Sequence, residues 1–262
     1  MFIFEIIRPG TWLDIDNHDS AFEIERVLGD LESQFYTANI ALNKFISCER
    51  EIEEHTRNLF SDEVRNSERI RKHEIEQDIC REIGAKSYEQ FEELHFLTEV
   101  RFNREKWSAG YVPGQFLKKS IYIYAHAFVS AVDMFGRFLT VLKGQPSSSA
   151  IGDISLKKFK EAFPQLRGVR NSVQHMDERS QGLKTGRKPI ELKPIDNEAI
   201  KCSGGVIAIN ILVNDRFGIT LDDGSYGEVA ISIESLQVLG GIFQGILDSF
   251  KWRGPKAYLP SA

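Results

Sequence analysis

Two side chains have the types and spacing that metal-free phosphodiester chemistry needs: Arg170 and His175, in the run Arg170-Asn171-Ser172-Val173-Gln174-His175. An arginine offers a permanent planar cation with five N–H donors that can clamp phosphate oxygens. A histidine gives or takes a proton near neutral pH, because its ordinary pKa lies close to it. On an ideal helix Asn171 and His175, four apart, share one face. Arg170 and His175 project about 140° from one another and can flank a groove.

The same spacing occurs a second time, at Arg50-Glu51-Ile52-Glu53-Glu54-His55. There the arginine is followed by glutamates, so a phosphate would meet negative charge. That pair reads as the solvated face of a long charged helix. Arg170 is followed by Asn171 instead, and the two matches are separated by their company rather than by their spacing.

The segment from Phe163 to Ser180 resembles the signature of the HEPN family, an arginine followed a few residues later by a histidine, often with asparagine directly after the arginine. The resemblance implies a mainly α fold, a HEPN-like helical bundle, here with a small antiparallel β insertion before the last helix. It implies roles as well. His175 takes the proton from a ribose 2′-hydroxyl as that oxygen attacks the adjacent phosphate. Arg170 holds the phosphate and offsets the developing charge, and Asn171 orients the histidine or the phosphate. The reaction needs no metal and no cofactor. One helix supplies one histidine, so the family arrangement sets two motifs face to face across a homodimer axis.

The implied function is a metal-independent endoribonuclease acting on RNA, in a prokaryotic defence or toxin–antitoxin setting with an antitoxin or other system partner. Two other readings stand beside it. One is a non-catalytic HEPN-like module that binds a protein or RNA partner, favoured by the acidic net charge of −5. The other is a plain helical protein in which Arg170 bonds nearby acids and His175 is an interior histidine.

The charge distribution bears on these alternatives. From Ser155 to Lys193 there are ten cations against four anions, a net +6, and the rest of the chain carries −11. Positive charge therefore gathers around the motif, where a polyanion needs it. Within that stretch Lys184, Arg187 and Lys188 are the expected contacts to RNA backbone phosphates. Tyr111, Phe116, Tyr122 and Tyr124 are aromatic and either stack on unpaired bases or belong to the core.

No metal centre is expected. Cys48, Cys80 and Cys202 lack ligand or disulfide spacing and fit a reducing cytoplasm. Asp222 and Asp223, flanked by strand-like runs and Gly224, read as a hairpin turn. The start of the chain has no signal-peptide pattern. The apolar run Ile121 to Leu142 holds His126, Asp133 and Arg137, which are costly in lipid, so a central bundle helix is expected and no membrane.

The 262 residues are read as one domain, with an N-terminal helical extension over 1–86 and a bundle over 87–252. After an extended start (Phe2 to Leu13), apolar residues three and four apart predict a helix from Phe22 to about Arg57. A polar helix follows from Ser61, ended by Gly84. A third starts at Ser87 with Tyr88, Phe91, Leu94, Leu97 and Val100 facing inward. The fourth, about Phe116 to Lys143, is the most apolar. A helix restarts at Ser155. Pro164 kinks or restarts the pattern, leaving a motif helix from about Phe163 to Gly182. Short β-branched runs within about 189–232 form the insertion: Ile190–Lys193, Val206–Val213, Gly218–Leu221 and Glu228–Ser232. The last helix runs from Ser232 to about Trp252.

Overall fold

Helix signals in this sequence are strong where apolar residues keep a three–four spacing, and those segments fold as helices in the computed structural model, which describes residues 1–84, 91–197 and 200–261. In chain order the first half contains β1 (Ile6–Arg8), β2 (Trp12–Leu13), α1 (His18–Leu59), α2 (Asp62–Ile83), α3 (Phe91–Ser108) and α4 (Gly114–Gly144). Then come α5 (Ser149–Ala162), α6 (Leu166–Gln174) and α7 (Met176–Ser180). The strands β3 (Leu183–Lys184), β4 (Lys188–Pro189), β5 (Ile195–Asp196), β6 (Lys201–Cys202), β7 (Ile211–Val213), β8 (Arg216–Thr220) and β9 (Tyr226–Ala230) follow. The chain closes with α8 (Ile233–Asp248), β10 (Trp252–Arg253) and β11 (Ala257–Leu259). It is mainly helical with small antiparallel sheets. Ser87 and Tyr88 lie outside the described residues.

Two compact units are present: residues 1–45 with 122–262, and residues 46–121. Both cut points fall inside helices, α1 and α4.

In the larger unit the predicted stripe of α1 is buried: Ile24, Val27, Leu28, Leu31, Phe35, Ala38, Leu42 and Phe45 are all nearly inaccessible. Phe128, Val132, Phe135 and Leu139 of α4 and Leu236, Leu239, Phe243 and Ile246 of α8 are buried as well. Phe243 meets Phe35 at 6.2 Å and Phe135 edge-on at 6.0 Å, so the three helices share one core. Such aromatic contacts add about 0.5–1.5 kcal/mol each beyond area burial. α4 is long and apolar enough to cross a membrane by length and composition, and 56% of that window is buried.

Helix α8 begins with Ser232, whose hydroxyl accepts the Ser235 amide at 3.2 Å, and it stops at Asp248 rather than near Trp252. The residues after it turn back as strands. β10 pairs with β2 (Trp252↔Leu13) and β11 with β1 (Ile6↔Leu259). The two ends of the unit are thus hydrogen-bonded to each other. Nothing local in the sequence announces a pairing of that separation.

The β insertion departs from its expected strands. β7-β8-β9 form the three-stranded antiparallel sheet, with Phe217 opposite Val229, both buried. Ile190–Lys193 is not a strand, and of Val206–Val213 only the last three residues pair. The strand character of β-branched residues depends on a regular partner edge, and here the bonds are isolated: the Ile190 amide donates to the Gly182 carbonyl, the Lys193 amide to that of Gly224 and the Thr220 amide to that of Ala208.

Gly152, in the first turn of α5, sits against the end of α4. A Cβ there would fall 2.5 Å from Cα of Lys143, a backbone atom that cannot swing away. Gly152→Ala is expected to cost about 1–3 kcal/mol in urea denaturation. Gly241→Ala, in α8 with open space around it, should instead stabilise by about 0.4–1 kcal/mol.

In the smaller unit α2 is bounded as its residues dictate. Ser61 caps it, accepting the Val64 amide at 3.4 Å, and Gly84 ends it with φ 63°. Ile75 and Ile79 of α2 pack on Leu94 and Phe102 of α3. Ion pairs flank that small core, Arg71–Glu105 and Lys72–Glu99 among them. Phe91, expected inward, is 67% exposed, because the face turned to α2 carries Leu94, Thr98 and Phe102.

Candidate functional site

Pro164 has no N–H and restricts the residue before it, so α5 closes at Ala162 and the chain restarts as α6. Leu166, Val169 and Ser172 form the buried stripe of α6, packed on β8 and β9. That packing leaves Arg170 and Asn171 on an adjoining side of the helix.

Arg170 lies against α4. Its Nε is 3.3 Å from Oδ2 of Asp133, and the two side chains are 19% and 8% exposed. The same oxygen accepts the Nε–H of Arg137 at 2.8 Å from one turn further along α4. One buried carboxylate is thus shared by two guanidinium groups. Two cations on one anion leave excess positive charge beside the motif, a setting that favours an anionic ligand. Arg170 also donates from Nη1 to Oδ1 of Asn171 at 3.3 Å, so the Asn171 carbonyl is turned to the arginine. The remaining Arg170 donors have no hydrogen-bond partner among the described residues.

His175 is not on the body of a helix, which corrects the expected continuous motif helix from Phe163 to Gly182. It is the junction between α6 and α7, with φ −107° and ψ 35°. Its N–H still donates to the Asn171 carbonyl at 3.1 Å, while its own carbonyl accepts from Glu178 and Arg179 at 3.1 and 3.0 Å. The imidazole is 53% exposed, with Nδ1 3.9 Å from Oε2 of Glu178. It is therefore a surface group, not an interior histidine.

The segment after the break is anchored by Arg179. Its side chain is 1% exposed, and the guanidinium donates to Asp222 at 2.6 Å, to the Leu183 carbonyl at 2.7 Å and to Ser172 at 3.4 Å. Asp222 also accepts the Thr185 amide at 2.7 Å and its hydroxyl at 2.9 Å. Those Thr185 bonds, with the nearby Arg179 charge, hold the Asp222 carboxyl below its ordinary range. Asp222 and Asp223 do form the turn between β8 and β9, as expected. Asp223 accepts Lys193 at 2.6 Å and the Ser225 amide and hydroxyl, which push its carboxyl down as well.

These contacts thin the positive patch. Arg170, Arg179 and Lys193 meet carboxylates from outside the stretch in which they were counted. Lys157, Lys158, Lys160 and Arg167 are exposed, as are Arg187 and Lys188, with Lys184 half-buried. Lys184 and Lys188 stand directly opposite one another in the β3–β4 hairpin. Like charges in register are unfavourable. Arg187 beside them has φ 57°, an uncommon backbone state for a side-chain-bearing residue.

The second arginine–histidine spacing lies in the smaller unit. His55 meets the Tyr111 hydroxyl at 3.1 Å and is partly buried, so it is a packed residue rather than a purely solvated one. Tyr111 and Phe116 are 37% and 66% exposed and do not belong to a core. Tyr111 carries the Lys106 ammonium over its ring at 3.7 Å.

Three contributors had no motif to announce them: Asp133, Arg137 and Glu178. The first two stood out only as ionisable groups in an apolar helix, a signal that in retrospect marks a polar face aimed at the motif. His126 of the same helix meets Oδ1 of Asn210 at 3.0 Å, and Asn210 contacts Met176 next to His175. Among the described residues no group of three or more His, Cys, Asp or Glu side chains is placed to hold a metal ion. The chain matches no protein-family model, no curated protein and no solved structure.

Proposed function

We propose that this protein is a metal-independent endoribonuclease of the HEPN type, cleaving RNA by attack of a ribose 2′-hydroxyl on the adjacent phosphate. The observation that carries the reading is the exposed His175 imidazole, five residues from an arginine whose guanidinium is held in place by Asp133 and keeps unused donors. In the proposed reaction Nε2 of His175 takes the 2′-hydroxyl proton as the oxygen forms its bond to phosphorus. Arg170 faces the charge that develops on the phosphoryl oxygens, with Arg137 beside it. The bond to the 5′-oxygen breaks, leaving a 2′,3′-cyclic phosphate and a 5′-hydroxyl. A second copy of the motif, across a homodimer axis, supplies the acid that protonates the leaving oxygen. Lys184, Arg187 and Lys188 contact the RNA backbone. An in-register lysine pair is relieved when a phosphate lies between its members.

A second reading is a non-catalytic helical module that binds an RNA or protein partner. It is favoured by the low exposure of Arg170, whose pairing with Asp133 is also what a purely structural arginine makes.

One experiment separates them. Purified protein incubated with single-stranded RNA in EDTA is expected to yield fragments ending in 2′,3′-cyclic phosphate, and to leave DNA and 2′-O-methyl RNA intact. Light scattering at micromolar concentration should give a dimer. Cleavage that requires a divalent metal, equal cleavage of DNA, or full activity in a strictly monomeric species would overturn this assignment of roles.

A further inference from the structure

Next to His175 lies a carboxylate that the proposed reaction does not yet use. We infer that Glu178 is the positioning residue for His175: its carboxylate accepts the Nδ1–H of the imidazole and fixes the tautomer whose Nε2 lone pair serves as the base. For the reaction it serves, the inference rests on the proposed function. The pairing itself rests on geometry.

Glu178 sits in the first turn of α7, three residues after His175, and its side chain is 17% exposed. Its Oε2 atom is buried and makes no hydrogen bond among the described residues. A buried carboxylate oxygen without a donor is unfavourable, and native structures seldom leave one so. Two nitrogen atoms stand just beyond bonding distance: Nη1 of Arg179 at 3.8 Å and Nδ1 of His175 at 3.9 Å.

The two differ in what they can do. The Arg179 guanidinium is buried and already held by Asp222, the Leu183 carbonyl and Ser172. It cannot turn to Glu178 without abandoning them. The His175 ring is half exposed at a helix junction and has no hydrogen bond of its side chain to give up among the described residues. Glu178, by contrast, is fixed at its base, since its amide donates to the His175 carbonyl. A rotation of the imidazole is therefore the movement that brings a donor to the orphan oxygen. Active-site hydrogen bonds are often long before substrate arrives and tighten with it, so a separation of 3.9 Å does not oppose this.

The chemical consequence follows from the two ring nitrogens. When Nδ1 carries the proton and gives it to a carboxylate oxygen as a hydrogen bond, Nε2 is left as the basic atom. As Nε2 takes the 2′-hydroxyl proton the ring becomes a cation, and the Glu178 charge beside it stabilises that cation. Glu178 orients the ring and transfers no proton. Behind it Arg179 and Asp222 tie α7 to the β insertion, so the carboxylate is supported from its far side.

The test uses the full chain labelled with 15N-histidine, with His175→Ala identifying the signal of that residue. In the wild type the neutral His175 ring should be the Nδ1–H tautomer. In Glu178→Ala it should revert to the Nε2–H form that an unconstrained imidazole favours. Should Glu178→Ala fail to fold, Glu178→Gln keeps the volume, removes the charge and should weaken the same preference. In RNA cleavage Glu178→Ala is expected to lower kcat about 10–100-fold with KM unchanged, and Glu178→Asp to restore part of the loss. An identical tautomer in wild type and variant overturns the inference, as does wild-type kcat in Glu178→Ala. If the wild type does not cleave RNA at all, the proposed function falls, and the tautomer comparison by itself still decides whether Glu178 orients His175.

Discussion

His175→Ala is expected to lower the rate of RNA cleavage by about 10²–10⁴-fold, the usual cost of losing a general acid–base group, with an unchanged thermal melt. Stability should move little because the ring is half exposed and its charge partner Glu178 stands 3.9 Å away. Arg170→Ala should lose activity comparably. Its effect on folding is limited because Asp133 keeps Arg137 as a partner at 2.8 Å, so the buried carboxylate is not left alone. Arg170→Lys should rescue little: an ammonium has neither the planar fork nor the reach to meet Asp133 and a phosphate together. The controls are Arg50→Ala and His55→Ala, which carry the same spacing in the smaller unit. Activity within error of wild type after His175→Ala removes the histidine from the chemistry. A fall in melting temperature that tracks the fall in rate would assign both residues to the fold instead.

That contrast between two identical spacings shows how far the sequence could be read. The long helices were legible because a three–four apolar period over many turns has one reading: the stripe from Ile24 to Phe45 and that of α8 are both buried. The boundaries of α2 were legible too, since Ser61 and Gly84 are residues that cap helices for local reasons. Local signals stop there. The break at His175 has no glycine or proline to mark it. The segment after it is anchored by the buried Arg179, whose partner Asp222 is 43 positions away. Asp133 likewise reaches Arg170 only through the packing of α4 on α6. The charge count around the motif overstated the exposed patch for the same reason, because carboxylates distant in sequence return to pair with Arg170, Arg179 and Lys193. The side chains proposed to carry chemistry stand out in the sequence by their types. The groups that hold them in place become visible only in three dimensions.

The largest stability effect should come from that hidden pair, and it should be lopsided. Removing Asp222 leaves the Arg179 guanidinium, 1% exposed, without its closest counter-charge. An uncompensated buried charge costs about 3–5 kcal/mol. Removing Arg179 leaves Asp222, which is 52% exposed and still holds Thr185. A carboxylate in that position turns to water, so Arg179→Met should cost clearly less than Asp222→Ala despite deleting the larger side chain. The double variant should resemble Arg179→Met, because the stranded charge is gone. The acid limb gives an independent reading. The Asp222 carboxyl is depressed in the folded state, chiefly by the Thr185 amide. Its contribution is therefore present above the ordinary carboxylate value of about 3.9 and is lost as pH falls toward the lower folded value. Asp222→Asn should flatten the loss of stability below about pH 4 relative to wild type. Urea denaturation of the four variants across pH is the measurement. Asp222→Ala no less stable than Arg179→Met would show that Arg179 does not depend on its partner. The α7 segment carrying Glu178, and the junction that presents His175, would then be held by something other than this ion pair.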